Sequence, residues 1–190
     1  MTKPRTDITG TPAARDYLEL SEKALLGQCD VKVHRSSGPG GQHRNKVSTA
    51  IRLHHRPTGI TAQGYDSRSQ LDNKRTALKR LRIKIACQLR RSVDPEKYAP
   101  PEALRSCLFT PGKGPPGAAR RLQVGKKDRR FWPVARCLLD LLEAHQGRLA
   151  EAAEALGITT SNLTSVLKDD RHLCAAAQAI RKSHGLGPLK

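Results

Sequence analysis

Aromatic side chains are scarce, with one Trp, three Tyr and two Phe, or 3% of the chain. A platform that stacks splayed single-stranded bases is therefore not expected. The five cysteines, Cys29, Cys87, Cys107, Cys137 and Cys174, form no Cys-x-x-Cys pair, and their odd number argues against a disulfide framework and a zinc site. A reducing compartment is expected. No apolar run approaches a membrane span, and the N-terminus lacks the charged-then-apolar secretory pattern, so a cytoplasmic location is expected and an organellar matrix stays open. His54 and His55 are neighbours, but adjacent strand positions face opposite ways, so a shared metal is not expected, and no cofactor is expected. Acidic residues are also few: 17 Asp and Glu against 35 Lys and Arg give a formal net charge of +18 in 190 residues. Such a field favours polyanions, and binding should be phosphate-led and salt-sensitive.

The pattern along the chain predicts an α+β protein in four segments: a tail and short helix over 1–27, a strand-rich domain over 28–92, a linker over 93–130 and a helical unit over 131–190. Residues 1–14 lack periodicity and are expected to be disordered, while 16–26 read as a short helix. Val31 to Arg35 and Ser48 to His55 alternate as strands, the second with Thr49, Ile51 and Leu53 on one face. After the turn at Pro57 and Gly59, Ile60 to Tyr65 reads as a third strand. Ser67 and Gln70 form a capping box for a long helix with Leu71, Leu78, Leu81, Ile85 and Leu89 at helical spacing. Its other face carries Arg68, Lys74, Arg75, Lys79, Arg80, Arg82, Lys84, Arg90 and Arg91 against Asp72 alone, an imbalance that asks for an anionic neighbour. Residues 92–130 are rich in Pro and Gly and end in cations. Beyond them, Val134 to Leu142 and Leu149 to Leu156 read as amphipathic helices and a third starts near Ser161. Ala153, Gly157, Ile158, Leu163 and Val166 carry the spacing of a helix-turn-helix, with Thr159, Thr160, Ser161, Asn162, Thr164, Ser165 and Lys168 facing outward. Nucleic-acid contact and protein contact both stay open for that unit.

Between the first two strands lies Arg35-Ser36-Ser37-Gly38-Pro39-Gly40-Gly41-Gln42-His43-Arg44-Asn45-Lys46. Its glycines and proline exclude a helix or strand interior, so it reads as a loop able to present backbone N–H groups. This stretch resembles the ester-hydrolysing loop of class I peptide-chain release factors and related ribosome-rescue hydrolases. The likeness continues through Asn45 to Leu53, the turn Arg56 to Ile60, and Ser67 to Lys74, and spans Val31 to about Leu89. One departure is Arg44, where the family usually has a small apolar residue.

The resemblance implies a release-factor GGQ-type domain, with a small sheet on a long basic helix, that hydrolyses peptidyl-tRNA on the ribosome. Gly40, Gly41 and Gln42 are then the catalytic residues. The partners it implies are ribosomal RNA and P-site peptidyl-tRNA, with no membrane, and the protein is expected to be a monomer. RNA contacts are expected from Arg35, His43, Arg44, Asn45 and Lys46 around the loop and from Arg68, Lys74, Arg75, Lys79 and Arg80 on the helix. The basic linker end, Arg120, Arg121, Lys126, Lys127, Arg129 and Arg130, matches the use that related rescue hydrolases make of a basic tail. Pro4-Arg5-Thr6 fits the Pro-x-Thr tripeptide by which some release factors read stop codons, but no domain to display it is expected, so codon reading is not expected either. The alternative is a non-catalytic RNA- or DNA-binding protein acting through the helix-turn-helix-like unit, which would have no need of Gly40-Gly41-Gln42.

Overall fold

The computed structural model describes residues 5–6, 17–35, 48–110 and 119–189. In chain order the elements are β1 (Arg5–Thr6), α1 (Glu22–Gly27), β2 (Cys29–His34), β3 (Ala50–His55), β4 (Ile60–Gly64), α2 (Gln70–Gln88) and β5 (Leu89–Arg90). A 3₁₀ turn (Pro95–Lys97) precedes α3 (Glu102–Arg105), β6 (Leu108–Phe109), β7 (Arg121–Leu122), α4 (Phe131–Ala144), α5 (Leu149–Ala155), α6 (Thr160–Asp169) and α7 (Arg171–Ser183). The chain is thus α+β, and it divides into two compact units: residues 12–85, and residues 86–190 with the first eleven.

In the first unit β2, β3 and β4 form an antiparallel meander, with Val31 opposite Leu53 and Leu53 opposite Ala62. Strand alternation turns Ile51, Leu53 and His55 inward, and Ile60 and Ala62 of β4 join them. Helix α2 buries Ala77, Leu78, Leu81 and Ile85. It runs antiparallel to β4, because Gly64 lies against Asn73 and Ala77 while the Lys84 Nζ donates to the Thr61 carbonyl at 2.7 Å. Opposed residues share a face, so Val31 and Val33 lie on the inner side of the sheet, yet they are 44% and 47% exposed. Two sequence expectations shift. Leu71 is 58% exposed and lies outside the helix's buried stripe. The cap is Ser69 in place of Ser67: its Oγ accepts from the Asp72 N–H at 3.3 Å, while the Ser67 Oγ accepts from the Ser69 N–H.

The second unit is built around α4, which is apolar on nearly every side and buries Val134, Ala135, Leu138, Leu139, Leu141 and Leu142. Helices α5, α6 and α7 complete the core with Ala152, Ala153, Leu163, Leu167, Leu173 and Ala177. The helix expected from near Ser161 is followed by a second, and Asp170 separates the two by capping α7 through the N–H groups of His172 and Leu173 at 2.7 and 3.2 Å. Residues expected in a linker are built into this core. Leu104, Cys107 and Leu122 are at most 1% exposed, β6 and β7 pair as antiparallel strands, and Asn162 holds Leu122 by two bonds. Its Oδ1 accepts from the Leu122 N–H at 2.7 Å, and its Nδ2 donates to the Leu122 carbonyl at 3.0 Å. Pro and Gly content misled here, because a few apolar residues suffice to dock an irregular segment.

Candidate functional site

The strand register brings the two ends of the glycine-rich segment together, since His34 at the end of β2 pairs with Ala50 at the start of β3. The exit side is fixed by Asn73, which is fully buried on α2. Its Nδ2 donates to the carbonyls of Thr49 and Ser67, both at 2.8 Å, and its Oδ1 accepts from the Ser67 N–H at 2.9 Å. Every hydrogen-bonding position of the side chain but one acceptor site is engaged, so the amide is locked between strand entry and helix start. Gly64 makes this approach possible: a Cβ there would stand 2.0 Å from the Asn73 carbonyl oxygen. Arg35, at the start of the segment, is exposed. Gly40, Gly41, Gln42, His43, Arg44, Asn45 and Lys46 lie outside the described residues.

The opposite end of the sheet holds a neutral histidine. Buried His55 bonds Gln28 Oε1 through Nε2 at 3.0 Å and Thr58 Oγ1 through Nδ1 at 2.8 Å, with Tyr17 edge-on at 4.9 Å. The amide oxygen can only accept, so Nε2 carries the proton and Nδ1 accepts from the threonine hydroxyl. Burial, with the nearby His54 and Arg56 charges adding to it, lowers its pKa to about 4. His54 points to the other face, 3.4 Å from Asp30, whose carboxyl is held below its ordinary range first by the Arg56 hydrogen bond and then by His54.

Helix α2 is less uniformly available to RNA than its charge count predicts. Arg80 donates to the Gln63 carbonyl, pairs with Asp66 at 2.9 Å and covers the Tyr65 ring. Arg82 donates to the carbonyls of Leu18 and Leu20, and Lys84 holds Thr61. Arg75 lies 3.7 Å from Asp72, both exposed. Arg68 and Lys79 are exposed and Lys74 half-buried, and none of these three forms an ion pair among the described residues. The expected helix sequence sets nine cations against one acid because Asp66 lies before the helix, and backbone carbonyls do not register as anions.

In the second unit Arg90 is buried with Asp140 at 3.0 Å, and Arg136 reaches the same carboxylate at 3.7 Å. Burial raises the Asp140 pKa against the pull of Arg90, the Arg91 N–H and Arg136. Arg90 therefore leaves the expected solvent-facing set. Arg130 is engaged by Asp128 at 2.6 Å, and its hydrogen bonds lower the Asp128 carboxyl to about 2. Lys126 pairs with Asp169 at 3.1 Å. Arg120, Arg121, Lys127 and Arg129 are exposed and unpaired among the described residues. No cluster of His, Cys, Asp and Glu suited to a metal occurs among them either.

Sequence reasoning missed Asn73 and Asp140. Each is a polar residue on a helix that turns into the core: Asn73 lies in the Ser67 to Lys74 stretch of the family likeness and one turn before Ala77, and Asp140 lies on a helix whose other residues are almost all apolar.

Comparison with known proteins gives this geometry its context. Residues 24–107 match the RF-1 domain. Peptide chain release factor 1 of Enterococcus faecalis is 37% identical over 95 residues, 50% of this chain and 26% of that protein. Peptide chain release factor 2 of Lactiplantibacillus plantarum is 53% identical over 55 residues, 29% of this chain and 15% of that protein. Peptide chain release factor 1 of Geobacter sulfurreducens is 29% identical over 160 residues, covering 84% of this chain and 37% of the relative. The chain thus spans well under half the length of these curated relatives.

Proposed function

We infer that this chain, which belongs to the class I release-factor-like family through its RF-1 domain at residues 24–107, hydrolyses the ester of peptidyl-tRNA on the ribosome. The observation that carries this reading is Gly40-Gly41-Gln42 inside that domain, between strands whose ends are paired at His34 and Ala50 and braced by Asn73. Water attacks the ester carbonyl, and the tetrahedral oxyanion collapses to a free peptide carboxyl and a free ribose hydroxyl. An amide side chain does not titrate usefully, so Gln42 acts by position and not as a general base. Its backbone N–H stabilises the developing oxyanion, and its side chain orients the attacking water. The proton passes through the ribose hydroxyl of the tRNA.

Ribosomal RNA is the partner of Arg68, Lys74, Arg75 and Lys79, and the protein acts as a cytoplasmic monomer without cofactor. Release is independent of the stop codon. In support, Arg5 and Thr6 of the one Pro-x-Thr tripeptide pair through their backbone with Leu89 and Arg90 as a parallel bridge. The test is release of labelled formyl-methionine from ribosomes carrying stop, sense or no codon in the decoding site, with wild type and Gly41→Ala. Comparable wild-type release in all three, abolished by Gly41→Ala with ribosome binding retained, is the expected result. Release that Gly41→Ala leaves intact would sink the catalytic assignment, and strict dependence on one stop codon would sink codon independence.

A further inference from the structure

Helices α5 and α6 are joined by a tight turn in which Gly157 has φ +65° and its N–H donates to the Glu154 carbonyl at 2.8 Å. The Ile158 N–H reaches back to the Ala153 carbonyl at 3.0 Å, and the Thr159 Oγ1 caps α6 through the Asn162 N–H. Ala152, Ala153, Leu156, Ile158, Leu163 and Leu167 are buried beneath the turn, so the outer face of α6 is held firmly. That face presents Thr160, Ser161, Thr164, Ser165 and Lys168 to an open groove that, among the described residues, is lined by no acid. Asp169 and Asp170, which follow Lys168, are engaged by Lys126 and by the N-terminus of α7, and the exposed Glu154 stands on the α5 side of the turn.

A basic segment lies along the same helix. The Arg120 N–H donates to the Gly157 carbonyl at 2.8 Å, Leu122 is clamped by Asn162 in the first turn, and Lys126 pairs with Asp169 at the last. Residues 120–126 therefore follow α6 from its start to its end. Arg120 and Arg121, both exposed, stand at the start of the helix, where unsatisfied N–H groups and the helix dipole also favour anions. A Cβ at Gly157 would meet the Arg120 side chain at 3.9 Å, which places that arginine over the turn itself.

We propose that the outer face of α6, with Arg120 and Arg121 beside its start, binds the sugar-phosphate backbone of RNA independently of the ester-hydrolysing loop. Two arginines, a lysine and a row of short hydroxyls suit phosphate oxygens. The amide of Asn162 is locked to Leu122, and the deep, narrow major groove of an RNA duplex keeps base edges from the remaining side chains, so binding is insensitive to sequence. Hydroxyls both donate and accept, which matches the ribose 2′-hydroxyl and selects RNA over DNA.

The test is fluorescence anisotropy of the full chain with a labelled mixed-sequence RNA duplex and the DNA duplex of the same sequence, each across a potassium chloride titration. Arg120→Glu with Arg121→Glu should weaken RNA binding by about tenfold or more and reduce the logarithmic salt slope by about two, as expected for two lost phosphate contacts. Thr164→Val with Ser165→Ala should narrow the preference for RNA over DNA. Unchanged affinity and slope in the arginine variant would overturn the surface, and equal wild-type binding of DNA would overturn its assignment to RNA. Gly41→Ala should bind the duplex as wild type does, so loss of release and loss of this binding are separable results.

Discussion

Gly64 is where strand and helix meet backbone to backbone, leaving no volume for a side chain because the atoms it would strike are the Asn73 carbonyl and the Ala77 N–H group. Gly64→Ala must push α2 away from β4, and overpacking of this kind costs about 1–3 kcal/mol or more. Thermal denaturation should show a lowered midpoint, and release should fall with it as the Asn73 bonds to Thr49 and Ser67 lengthen. His55 sets a pH response. Its folded pKa, about 4, lies below its unfolded value near 6.5, so the unfolded chain binds the extra proton between them. The stabilisation is complete above the unfolded value and is lost as pH falls toward 4, by up to about 3 kcal/mol. Urea unfolding at a series of pH values should show this slope in wild type and a flatter one in His55→Gln. The sequence placed His54 and His55 on opposite faces, with His55 on the face of Ile51 and Leu53, but not the Gln28 and Thr58 partners that folding brings to its ring.

At the scale of elements, a buried ion cluster and an exposed basic face respond in opposite ways to mutation and salt. Asp140→Ala leaves Arg90 and Arg136 facing each other in the core of the second unit, a loss of about 3–5 kcal/mol that should appear as reduced stability with little dependence on salt. Asp140→Asn keeps an acceptor and should lose less. Lys74→Ala with Lys79→Ala, by contrast, should leave the melting temperature unchanged while weakening ribosome association and flattening its salt dependence by a slope of about two. Equal salt slopes for this variant and wild type in sedimentation would return that face to plain solvent. The three strands and the long helix were legible in the sequence because alternation and helical spacing are strong there. The charged face was only half legible, since whether Arg80, Arg82 and Lys84 stay free depends on carbonyls and one aspartate brought near by folding.

For the whole molecule the boundary between units matters more than the boundary between motifs. Composition suggested a cut before Phe131, yet Leu104, Cys107 and Leu122 belong to the same core as α4. A chain ending at Arg130 should expose that surface, bind the dye ANS and aggregate, whereas one ending at Arg91 should not, a contrast that size-exclusion chromatography would reveal. If both behaved alike, residues 92–130 would be a linker after all. The cysteines add a different kind of handle. Cys29 is buried in the first unit and Cys107 in the second, and burial raises both thiol pKa values. A thiol that is both hidden and protonated reacts with an alkylating reagent only when the structure around it opens. Each unit thus carries its own native clock, and the two alkylation rates report how often each half of the chain breathes without any label being introduced.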